Sequence, residues 1–106
     1  MLFELRQYTI VPGHRDEWVR LMEEEIIPFQ VAKGMVILGS WVTEQDETTY
    51  IWLRRFKDEE ERKALYDAVY QSDHWKNTIG PRIPTMMVRE KMQVTRLIPT
   101  PKSPIQ

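Results

Sequence analysis

The sequence predicts an α+β domain, with four strands in one antiparallel sheet and two helices packed on one face of it. Three observations predict this. Residue periodicities along the chain change in the order strand, helix, strand, strand, helix, strand. A long segment carries apolar residues at helical spacing. The two middle strands are apolar on both of their sides, unlike strands with one wet face.

The first strand is expected from Leu2 to Ile10, a short run with β-formers and partial alternation that Pro12-Gly13 breaks. A helix follows from Arg15 to Lys33. Trp18, Leu21, Met22, Ile26, Phe29 and Ala32 make its apolar stripe, and Glu23, Glu24 and Glu25 mostly face water. Pro28 removes a backbone donor inside this stretch, so a kink near Glu24 or an early end is expected. Gly34 stops the helix. The second strand is Met35–Thr43, the polar run Glu44–Thr48 is a hairpin loop, and the third strand is Thr49–Phe56. Asp58 opens the second helix, with Glu61 three residues on as its capping-box partner. Ala64, Leu65, Ala68, Val69 and Ser72 share a face of that helix. Gly80, Pro81 and Pro84 make residues 77–84 a loop or broken turn, and Val88–Ile98 is the fourth strand. Residues 1–98 thus form one domain, and Pro99, Pro101 and Pro104 make 99–106 an extended tail. The order β-α-β-β-α-β is the ferredoxin-like pattern.

Two helices roof only one face of such a sheet. In the second strand Met35, Ile37 and Trp41 alternate with Val36, Leu38 and Val42; in the third, Ile51 and Leu53 alternate with Tyr50, Trp52 and Phe56. Leaving one set in water exceeds the ~300–600 Å² patch typical of monomers. Burying a large side chain is worth roughly 1.5–3 kcal/mol. A second copy packed sheet to sheet is therefore expected, the alternative cover being the Pro-rich tail.

Bulk properties narrow the function classes. A chain of 106 residues has room for one core; 42% hydrophobic and 29% charged residues are a globular balance. A net charge of −1 lacks the basic footprint of nucleic-acid or membrane-surface binding. The absence of cysteine excludes disulfides, thiolate nucleophiles and sulfur-ligated zinc or iron–sulfur sites. No apolar run approaches the ~20 residues that span a bilayer, and the N-terminus turns charged too early for a secretory segment. A cytoplasmic protein is expected.

Five motifs occur in a telling order. Glu4-Leu5-Arg6-Gln7-Tyr8 runs into Val11-Pro12-Gly13; then come Gly39-Ser40-Trp41, Trp52 with Arg55-Phe56, Glu61-Arg62, and Ser72-Asp73-His74-Trp75. Together they resemble the NIPSNAP family over residues 2–98. Asp46-Glu47 at the hairpin tip departs from the glycine the family often has there. The resemblance implies a dimeric α+β barrel. It implies no particular reaction: bacterial members mostly lack an assigned activity, and mitochondrial ones are associated with protein interactions. Relatives of this fold include cofactor-independent monooxygenases, haem-degrading enzymes and isomerases.

The candidate chemistry lies on the strands. Arg6 and Tyr8 share one face of the first strand, and Tyr50, Trp52 and Arg54 one face of the third. If these faces coincide, cations and aromatic rings converge as a site for a planar, anionic or phenolic ligand. The alternative is that the aromatics are core or interface and that the arginines pair with Glu4 or Glu90. Trp18, Trp41 and Trp75 are further candidates for the same cavity. His14 is expected to be exposed at a helix start. His74 has three readings: a general base, an axial haem ligand, or a cation at a helix C-terminus. No metal-ligand spacing, nucleophile triad or phosphate loop is present. The expected function is a homodimer holding a small aromatic or anionic molecule, with neither cofactor nor metal. If catalytic, it would use Arg6 as anion anchor, Tyr8 as hydrogen-bond donor and His74 as base. The alternative is a non-catalytic protein-interaction module.

Overall fold

Strand β1 (Leu2–Ile10) pairs antiparallel with β3 (Thr49–Phe56) on one side and β4 (Met87–Leu97) on the other, and β2 (Val36–Val42) pairs with β3. The sheet order is β2-β3-β1-β4, the arrangement expected of a ferredoxin-like α+β chain. The computed structural model describes the whole chain, Met1–Gln106. Helices α1 (Arg15–Leu21), α2 (Ile27–Ala32) and α3 (Glu59–Tyr70) pack over one face of the sheet.

The segment read as one kinked helix continues through Pro28 by a different device. Between α1 and α2 lies a π-helical turn, Met22–Ile26, in which the Ile27 amide bonds to the Met22 carbonyl, five residues back. Pro28 has no N–H to offer Glu24, and widening the preceding turn relieves the clash that its ring would cause. The extra residue delays the apolar stripe by one position. Gln30 takes the buried place periodicity gives to Phe29, and Ala32 is exposed. A second π-helical turn, Trp75–Ile79, also ends two residues before a proline, Pro81, and leads into a 3₁₀ turn, Gly80–Thr85. Residues 77–84 are therefore helical rather than a loop. Gly80 is required there, because a Cβ would stand 2.9 Å from the Trp75 carbonyl oxygen.

The start of α3 follows the expected chemistry. Asp58 accepts from the Glu61 amide at 2.8 Å, and the Glu61 carboxylate accepts from the Lys57 amide at 3.1 Å.

Two bulges decide which side chains face the helices. In β2, Ile37 pairs with Arg54 and Gly39 with Leu53, so Leu38 is an inserted residue. Ile37 faces the helices, but the insertion sends Trp41, paired with Ile51, to the opposite face; the expected sharing of a face by Ile37 and Trp41 is thereby corrected. Trp41's ring lies over Gly39, where a Cβ would come within 2.6 Å of it. Along β4, Thr9 pairs with Val88 but Gln7 with Gln93, so residues 89–92 bulge opposite Tyr8 alone.

The core fills the space between sheet and helices, with Ile10, Trp18, Met22, Ile26, Tyr50, Trp52 and Ile79 essentially inaccessible. On the far face the tail is not free. It turns back across one end of the sheet, enclosing a space with Phe3, Leu53 and Leu97, and Arg55 donates to the Gln106 carbonyl at 2.7 Å. Phe3 is buried, whereas Leu5 and Ile51 stay half-buried and Trp41 is 52% exposed.

Candidate ligand cavity

Cross-strand pairing answers whether the two candidate faces coincide. Glu4 pairs with Arg54, Arg6 with Trp52 and Tyr8 with Tyr50, and all six side chains are buried. They lie on the helix side of the sheet, opposite α1, α2 and α3.

At one end this row is a buried ionic cluster in which Arg54 Nε alone of the buried polar atoms lacks a partner. Arg54 Nη2 donates to Glu4 at 2.6 Å and to the Tyr66 hydroxyl at 2.8 Å; its Nη1 donates to Gln30 Oε1 at 2.9 Å and to the Tyr70 hydroxyl at 2.7 Å. Arg62 Nε donates to the second Glu4 oxygen at 2.7 Å. Glu4 and Arg54 are wholly inaccessible to water. Removing both charges from water is costly, and the surrounding bonds offset that cost. Burial pushes the Glu4 carboxyl upward, but the Arg54 charge, the Tyr66 hydroxyl and Arg62 outweigh it and hold the group below its ordinary range. The guanidinium of Arg54 also lies 4.9 Å from the Trp52 ring centre and 5.1 Å from that of Tyr66.

Next along β1, Arg6 is served differently. Its Nε donates to the Tyr8 hydroxyl at 2.8 Å and its Nη1 to Tyr66 at 3.2 Å, while Nη2 has only the Met92 sulfur, at 3.3 Å. The nearest carboxylate is Glu4 at 3.9 Å, already engaged by Arg54 and Arg62. Arg6 is thus a buried cation with no carboxylate of its own.

Arg6 lines a cavity of about 300 Å³ between sheet and helices, with Tyr8, Trp18, Trp52, Tyr70 and Trp75 among its walls. Its polar groups are almost all donors. The indole N–H groups of Trp18 and Trp52 have no partner. Tyr8 accepts from Arg6, and Tyr70 accepts from Arg54 and Gln30, so both hydroxyls use their oxygens and leave their protons unspent. Burial pushes the Tyr8 phenol upward against the pull of the Arg6 charge, so at neutral pH it is a donor and not a base.

Of the residues singled out from sequence, Arg6, Tyr8, Trp18, Trp52 and Trp75 meet at this cavity. Arg54 stands behind it in the ionic cluster. Tyr50 is buried beside Tyr8 and Trp18, at ring distances of 6.2 and 6.1 Å, and backs a different feature. That feature is a larger, open groove of about 550 Å³ between α1 and the β2 edge, with Trp41 on its rim and acidic and basic residues mixed along it. His74 is exposed outside the cavity, its ring 4.9 Å from that of Phe29. His14, half-buried rather than fully exposed, sits 2.8 Å from Glu17. Sequence reasoning missed Gln30, Tyr70, Arg89 and Met92. Tyr70 stands at the end of α3 next to the apolar stripe, where helical spacing alone does not aim it at the cavity, and the β4 bulge that brings both Arg89 and Met92 to the cavity leaves no local signature.

A four-stranded antiparallel sheet with helices on one side defines a ferredoxin-like α+β protein, here with a cavity between sheet and helices. The NIPSNAP family model matches residues 3–104, and the chain belongs to that family. It is similar to a NIPSNAP domain protein from Burkholderia xenovorans, with 21% identity, a TM-score of 0.85, and 98% of this chain and 99% of that one covered. A NIPSNAP family protein from Agrobacterium tumefaciens is 25% identical, with a TM-score of 0.86 and 99% and 98% covered. An antibiotic biosynthesis monooxygenase has a TM-score of 0.69 at 19% identity over 95% of this chain and all of that one, a likeness of fold. Comparison with curated proteins yields no match. No helix is long and apolar enough to cross a membrane.

Proposed function

We propose that this protein is a cytoplasmic homodimer that holds a small anionic or aromatic molecule in the cavity between sheet and helices. One observation carries the reading: a buried arginine without its own carboxylate lines an aromatic-walled cavity, and two residues of that wall, Trp18 and Trp52, have indole N–H groups without acceptors. Unmet buried donors cost about 1–3 kcal/mol each, and an anion or oxyanion supplies what they lack. Apolar aromatic walls suit a flat or greasy body. Should the bound molecule react, Arg6 and Tyr8 are the groups that would stabilise charge developing on an oxygen, through charge and hydrogen bonding respectively. His74 has no part in this reading.

The test is ligand capture. Native mass spectrometry of the purified protein, followed by a thermal-shift screen of metabolites, is expected to give a ligand that raises the melting temperature. Arg6→Ala should abolish the shift while circular dichroism stays native. An unchanged response in that variant, or no binder at all, overturns the reading.

A further inference from the structure

The geometry points to a narrower ligand class: a hydrophobic monocarboxylate whose head replaces the Met92 sulfur on Arg6 Nη2 and whose body lies among the cavity aromatics. This rests on the reading above and deepens it. Three observations lead to it.

The first is the charge balance. Glu4 is engaged by Arg54 and Arg62, and Arg62 also meets Glu59 at 3.2 Å, so the one buried charge at the cavity without a carboxylate of its own is that of Arg6. One buried positive charge calls for one negative charge; a phosphate dianion would bring a second one into an apolar site. The second is the state of the Arg6 fork. Nε and Nη1 are committed to tyrosine oxygens, and Nη2 rests on a thioether, a weak acceptor that a carboxylate oxygen displaces readily. Met92 is 39% exposed, on the edge strand β4, so it has somewhere to go. The third is the wall. Ten of the thirteen lining residues are hydrophobic, and the volume of about 300 Å³ lies at the small end of ligand pockets. The body must therefore be apolar and short, with the second carboxylate oxygen facing the unspent Tyr8 and Tyr70 protons.

The β4 bulge completes the site. By seating residues 89–92 opposite Tyr8 alone, it brings Arg89 and Met92 to the same cavity. Arg89 is exposed and reaches only the Gly80 carbonyl, at 3.5 Å. It stands at the mouth as a second cation that draws an anion toward Arg6.

Calorimetry with octanoate and phenylacetate, each against its primary amide and alcohol, and with phenyl phosphate and inorganic phosphate, tests this. Carboxylates are expected to bind the wild type at least about ten-fold more tightly than their neutral counterparts and than either phosphate, a margin in the range of charge-assisted bonding. Arg6→Gln should erase the preference. Arg89→Ala, at an exposed position that does not threaten the fold, should weaken carboxylates several-fold and leave amides unchanged. Met92→Leu, which removes the competing sulfur, should leave carboxylate binding equal or tighter. Amides or alcohols binding as well as acids, or phosphates binding better, overturns the class while leaving the pocket reading intact. No heat from any of these compounds, with a different molecule captured by mass spectrometry, does the same. No binding of anything removes both.

Discussion

Glu4 and Arg54 face each other across the β1–β3 ladder and form a 2.6 Å ion pair that water does not reach. Breaking such a pair from one side strands a charge, which costs about 3–5 kcal/mol. Glu4→Gln and Arg54→Met should each lower stability by about that much in urea denaturation. The double variant, which strands no Glu4–Arg54 partner, should lose less than the sum. Strict additivity would mean that the pair is not coupled, and that Tyr66, Gln30 and Arg62 carry the cluster without it.

The same cluster sets the pH range of stability. Glu4 titrates lower in the folded chain than unfolded: burial raises it, but Arg54, Tyr66 and Arg62 prevail. Its contribution is full above the ordinary carboxylate value of 4.5 and is lost as the pH falls through the lower folded value. Tyr66 runs the other way. Burial first, and its hydrogen bond to Glu4, push it up to about 12 from 10.0. The unfolded phenol then loses its proton first, so this contribution is full below 10.0 and disappears as the pH rises toward about 12. Urea midpoints measured across pH should fall at both ends. Glu4→Gln should flatten part of the acid limb; an unaltered acid limb would assign it to other carboxylates.

Gly80 tests the second π-helical turn. A methyl group there meets a backbone oxygen at 2.9 Å, which no rotamer relieves. Gly80→Ala should cost roughly 1–3 kcal/mol, the usual range for overpacking. It should also move Trp75, which lines the cavity, and so weaken any ligand that the cavity binds. A variant as stable as wild type, with unchanged binding, would mean that the turn shifts freely.

The open sheet face carries the expectation of a dimer. Leu5, Ile51 and Trp41 remain there beyond the reach of the tail, which occupies only the Phe3–Leu53–Leu97 end. Sedimentation at micromolar concentration should give twice the chain mass. Ile51→Asp, which sets a charge in the middle of that face, should shift the equilibrium at least about ten-fold toward single chains, equivalent to about 1.4 kcal/mol. A single chain in the wild type would leave the tail as the only cover the sheet has.

Much of the architecture was legible along the chain, because alternation, capping and turn chemistry are local. The β-α-β-β-α-β order, the Asp58–Glu61 cap and the shared face of Arg6 with Tyr8 and of Trp52 with Arg54 all follow from spacings of two to four residues. The NIPSNAP motifs are equally local. Tertiary structure alone decided the rest. An inserted residue in β2 reversed Trp41, and a longer bulge in β4 turned Arg89 and Met92 toward the cavity. A bulge is settled by the pairing between strands, and alternation along either strand does not record where the extra residue falls. Which arginine meets a carboxylate was likewise undetermined by sequence: Arg6 and Arg54 occupy equivalent inward positions, yet only Arg54 lies opposite Glu4, with Arg62 and Tyr66 closing the cluster from α3. Which of the two is sealed away and which is left facing the cavity depends on strand pairing and on where α3 lands over the sheet.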